Sequence, residues 1–117
     1  MSAAATDTVA QTVVTVTVQV NDLGRIRCVP HLAVVAGTDA LITFNLDGAG
    51  WAFPDTDAVV VTDGADQFPI PAWTIHPTQV ALLDSNTAPG AFSYTVSVQS
   101  TATGERCSMD PGIKNEA

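Results

Sequence analysis

From Thr12 to Val20 the chain reads TVVTVTVQV, with Val14, Val16, Val18 and Val20 alternating with Thr15, Thr17 and Gln19. Successive side chains of a strand point to opposite faces, so this period of two predicts a strand with one apolar and one polar face. A turn at NDLG, 21–24, leads into a second short strand, RIRCV over 25–29, in which Arg25 and Arg27 face water while Ile26 and Cys28 face inward. Pro30 ends it. LAVVAGTDALITFNL, 32–46, reads as two extended pieces around an AGTD turn.

The middle is less regular. DGAGWAFPDTD, 47–57, reads as a loop with two buried aromatics, AVVVTD as a strand, and GADQFPIPAWTIHPT as a proline-rich connection. QVALLD, 79–84, and AFSYTVSVQS, 91–100, are again strands, the latter with Phe92, Tyr94, Val96 and Val98 on one face. A last short strand runs through Cys107, and DPGIKNEA closes the chain. Roughly seven or eight short strands, with turn signals about every ten residues, predict an all-β fold: a single antiparallel β-sandwich over residues 1–117, with 1–10 as a flexible N-terminal segment. No segment carries a sustained helical period with caps.

Composition agrees with that class. In 117 residues, 46% are hydrophobic, enough for one buried core, and Val, Ala and Thr dominate over helix formers. The formal charge of −8 excludes a basic nucleic-acid or anionic-membrane surface, so the expected partner is neutral or cationic, a protein or a second copy of the chain. The N-terminus lacks a basic region followed by an apolar core, and no run reaches the about 18 apolar residues that span a bilayer. The expected location is the cytoplasm, with an exported mature form as the alternative. Compartment decides whether Cys28 and Cys107 stay free or bridge.

Chemistry-bearing residues are few. Arg25, Arg27 and Arg106 each lie within three positions of a cysteine, and pairing of the second and last strands would gather them into one patch for an anion or a partner, with the thiols beneath. The competing reading makes the cysteines small core residues and the arginines answers to surface aspartates. Cys28, His31, His76, Cys107 and Met109 are the alternative set for a soft metal, although a single Cys-x-x-His without a second pair is not a finger spacing. Asp47, Asp55, Asp57, Asp63 and Asp66 read as solvated turn residues, since no Gly and distal Glu complete a Ca²⁺ loop. Trp51, Phe53, Phe68 and Trp73, set among prolines, either plug the sandwich end or form interaction loops. Two histidines in separate loops give no catalytic constellation, so no enzyme and no cofactor is expected.

Two pieces carry a resemblance. VPHLAVVAGTDALITFNLDG, 29–48, and PGAFSYTVSVQS, 89–100, are similar to an early strand pair and a penultimate strand of cupredoxin-like sandwiches. The copper set that family implies is incomplete: Cys107 and Met109 are present, but no histidine follows Cys107, and the loop where the first would lie holds Trp51. The ending YTVSVQSTATGERCSMDPGIKN, with Asp110-Pro111 before Ile113 and Asn115, resembles the DP-EP family of uncharacterised bacterial sandwich proteins. The resemblance implies a cupredoxin-like fold, with an immunoglobulin-like one as the alternative, and brings no known activity. The expected function is a non-catalytic binding or interaction module, against a metal-binding or thiol-redox protein.

Overall fold

The computed structural model describes residues 12–63 and 66–116, so the segment 1–10 expected to be flexible lies outside the described residues. The described chain is all-β, in eleven strands: β1 Val13–Val20, β2 Ile26–Val29, β3 Leu32–Ala36, β4 Ala40–Asp47, β5 Trp51–Ala52, β6 Val59–Val61, β7 Trp73–His76, β8 Gln79–Asp84, β9 Gly90–Ser100, β10 Arg106–Met109 and β11 Gly112–Glu116. One sheet has the order β2-β1-β4-β8-β7. The other is built on β9: β10 and β11 follow one another along it, β3 lies outside β11, and β5 and β6 pair with β9 as well.

The sheets are mixed, not purely antiparallel as the sequence pattern suggested. β1 runs parallel to β4, and β3 runs parallel to β11. Parallel neighbours need a crossover rather than a hairpin. Here the chain leaves β1, adds β2 to the same sheet, passes into the second sheet as β3, and returns as β4 on the far side of β1. Alternation of side chains reports which face is buried and carries no information about strand direction, so the pattern was silent on this point.

The inward rows meet in one core. Val16, Val18, Ile42, Phe44, Val80 and Leu82 come from the first sheet; Ala33, Val35, Tyr94, Val96, Val98 and Ile113 come from the second. Phe44 and Tyr94 join them edge to face, with centroids 5.3 Å apart and planes at 61°. Phe53 and Phe68 close the core from the loops, Phe68 standing edge-on to Phe92 at 5.3 Å.

Candidate functional site

The arginines do not form one patch. Register puts Arg27 opposite Gln19, on the outer face of the first sheet, and Arg106 opposite Gln99, on the outer face of the second. Arg25 and Arg27 line a shallow depression with Asp47, whereas Arg106 lies beside Asp57, Ser97 and Ser108 and donates from Nη2 to the Thr56 carbonyl at 3.4 Å. β2 and β10 approach each other along one flank but belong to different sheets, so their outward side chains diverge.

Both thiols face inward and both are free. Cys28, opposite Val18, is buried, and burial pushes its pKa up, partly offset by the Tyr94 hydroxyl. Burial also pushes the Tyr94 phenol up, with the adjacent Cys28 adding to the effect. Cys28 therefore stays a protonated thiol, a poor nucleophile. Cys107 is half-buried beside Trp51 and Gly24, and Met109 packs against the core from the same strand.

The histidines are elsewhere. His31 is exposed after the cis Val29–Pro30 peptide, between β2 and β3. His76 is exposed at the end of β7, where its Nδ1 accepts the Thr78 N–H at 3.3 Å. β2 and β7 are opposite edges of a five-stranded sheet, so Cys28 and His76 cannot share a ligand sphere. Among the described residues no three His, Cys, Asp or Glu side chains gather in a way that would hold a metal. Asp47, Asp55, Asp57, Asp63 and Asp66 are exposed turn or strand-end positions. No helix of the described residues is long and apolar enough to cross a membrane.

The aromatics divide. Phe53 and Phe68 are buried and Trp51 is half-buried against the core, whereas Trp73 is 41% exposed on the edge strand β7. Trp73 stands opposite Ala81, which pairs with Thr43, which pairs with Thr15; the adjacent row runs from Leu41 to Leu83. These are outward positions, and none is charged. Ile70 and Ile75, both exposed, flank Trp73, and no Asp, Glu, Lys or Arg occurs between Asp66 and Asp84. β7 itself carries a bulge between Thr74 and His76 and lies between Pro71 and Pro77, features that discourage another strand from adding to its edge.

A buried polar cluster had not been anticipated. Asp84, Asn86, Asn115 and Gln67 are all buried at one end of the sandwich. Asp84 Oδ1 accepts from the Asn86 backbone N–H and from Asn115 Nδ2, both at 3.0 Å. Asn86, held at φ 47°, donates from Nδ2 to the carbonyls of Val35, Gly37 and Glu116. Gln67 Oε1 accepts the Thr87 N–H at 2.8 Å, and its Nε2 donates to Thr87 Oγ1 at 3.0 Å. The signal was present: Val80, Leu82 and Asp84 alternate, as do Ile113 and Asn115, so the period of two already turned both polar residues inward.

Comparison with protein-family models and with curated proteins returns no match for this chain.

Proposed function

We propose that the protein is a non-catalytic interaction module whose working surface is the outer face of the five-stranded sheet, from β1 across to Trp73. One observation carries this reading: in a chain of net charge −8, the exposed Trp73, Ile70 and Ile75 border the outward rows Thr15–Thr43–Ala81 and Leu41–Leu83, which carry no charge. An exposed tryptophan beside small and hydroxylated neighbours is the composition of an interface centre, where a rigid aromatic gives contact area at low entropic cost. The bulge and prolines of β7 favour docking of side chains on the face over strand addition at the edge. The partner presents an uncharged surface, as a second copy of the chain does: two acidic molecules meet with least repulsion across neutral faces.

The mixed sheets favour the cupredoxin-like over the immunoglobulin-like form of the sandwich, because the latter is built from two antiparallel sheets. Within this proposal the DP-EP resemblance of the C-terminal segment adds a family without an activity.

Light scattering of the full chain over a concentration series tests it, with Trp73→Ser alongside. The expected result is a mass that rises above the monomer with concentration and falls back in the variant, at unchanged circular dichroism. A monomer at every concentration overturns self-association across this face.

A further inference from the structure

Three side-chain oxygens of the buried cluster lack hydrogen-bond partners, Asp84 Oδ2, Asn115 Oδ1 and Asn86 Oδ1, and one proton resolves the first two. Asp84 is fully buried, and its Oδ2 has no hydrogen-bond partner. Asn115 is 1% exposed; its Nδ2 donates to Asp84 Oδ1 at 3.0 Å, and its own Oδ1 is likewise without a partner. Both orphans belong to side chains already joined by one hydrogen bond. A buried acceptor without a partner destabilises the fold, and a buried carboxylate without a counter-cation does so more.

We propose that Asp84 is a neutral carboxylic acid in the folded protein, donating from Oδ2 to Asn115 Oδ1 while Oδ1 accepts from Asn115 Nδ2, so that an acid–amide pair clasps β8 of one sheet to β11 of the other. The proton satisfies both orphans at once and removes the charge. Asn115 is then fixed as donor and acceptor together, a pairing that a carboxylate, with acceptors alone, does not complete.

The surroundings fit a neutral group. β4 brings Asp39 just before Ala40, the loop before β7 brings Asp66 beside Gln67, and β11 brings Lys114 and Glu116, on either side of Asn115. All four are exposed, and Lys114 pairs with Glu116 at 3.6 Å. Arg25, Arg27 and Arg106 are placed on β10 or on and beside β2, with none on an element that packs against Asp84. Burial pushes the Asp84 pKa up, offset in part by the bonds from Asn115 and Asn86, and no nearby charge contributes. A group whose pKa is raised on folding stabilises the fold fully below its unfolded value; that contribution is lost as pH rises through the folded value. The clasp is thus closed in acid and opened by ionisation. Because the same cluster, through Asn86, holds the Glu116, Val35 and Gly37 carbonyls, opening it loosens the last strand and the β3–β4 turn together.

The direct test is the ¹³C chemical shift of the Asp84 side-chain carboxyl in the wild-type full chain, followed from pH 3 to pH 8. The expected result is an Asp84 carbon that holds the position of a protonated acid after the exposed aspartates have titrated. Titration together with the exposed aspartates overturns the proposal, as does a carboxylate shift at neutral pH that responds to added K⁺ or Ca²⁺, which would assign the orphan oxygens to a cation. Urea unfolding gives a second readout. Asp84→Asn reproduces the donor and acceptor pattern of the neutral acid at every pH, so its midpoint relative to wild type is expected to rise as pH increases. A variant whose midpoint stays below wild type by a constant amount overturns the proposal.

Discussion

At the scale of single residues, Gly24 shows how a turn constrains the flank where β2 meets β10. It adopts φ +78°, a region that L side chains rarely enter, and closes the turn by donating its N–H to the Asn21 carbonyl at 3.0 Å. A Cβ at this position would lie 2.9 Å from Cys107 Sγ and 3.1 Å from the Trp51 ring. Gly24→Ala therefore carries two costs, backbone strain of about 1 kcal/mol or more and a clash of similar size. The two are separable: Cys107→Ala removes the sulfur and relieves part of the clash, while leaving the strain. Urea denaturation of both single variants and the double variant should give a favourable coupling. Additive effects would mean that Cys107 moves aside freely. The same contact explains why Cys107 is less accessible than its place on a short edge strand suggests.

Within the elements, the alternation that identified β1, β8 and β9 also ranks their side chains. Phe44 lies in the inward row of β4, fully buried and edge-on to Tyr94, whereas Leu41 lies in the outward row and is half-buried. Phe44→Ala is expected to cost about 3–5 kcal/mol, from lost burial and the cavity left behind. Leu41→Ala should cost less, about 1–2 kcal/mol, since part of its surface already meets water and its loss encloses no cavity. Thermal unfolding followed by circular dichroism would separate them; equal losses would mean that the outer face is covered in solution, as the proposed interface would have it at high concentration. The strands that the pattern did not disclose are the ones whose formation depends on distant partners. β11 presents one apolar inward residue, Ile113, and its next inward residue, Asn115, is buried only because Asp84 and Gln67 reach it from 31 and 48 positions away. β7 is flanked by prolines, which read as loop, yet an edge strand tolerates them because one side of its backbone needs no ladder. The arginine patch failed for a related reason: the residues were placed on the correct side of their strands, but the strands belong to different sheets.

On the scale of the whole molecule, charge is the unbalanced quantity. Twelve acidic residues face four basic ones, and among the described residues the one ion pair is Lys114–Glu116, between side chains about half exposed. Such a pair contributes about 0–1 kcal/mol. Among the described residues ten of the acids are exposed, most of them in turns, so compaction brings like charges together with little attraction to offset them. Screening should therefore stabilise the fold. The Debye length is about 30 Å at 0.01 M and about 8 Å at 0.15 M, so raising KCl across that range removes most of the long-range repulsion. A gain on the order of 1 kcal/mol, or about 4 °C in Tm, is expected by calorimetry, with chloride chosen so that ion exclusion adds little. A Tm that falls with salt would show that attractive pairs outweigh the repulsion. Variants connect this slope to the buried clasp. Asp55→Asn removes an exposed charge and should flatten the salt dependence, whereas Asp84→Asn should leave it nearly unchanged, because a neutral acid contributes no charge to the folded molecule for salt to screen.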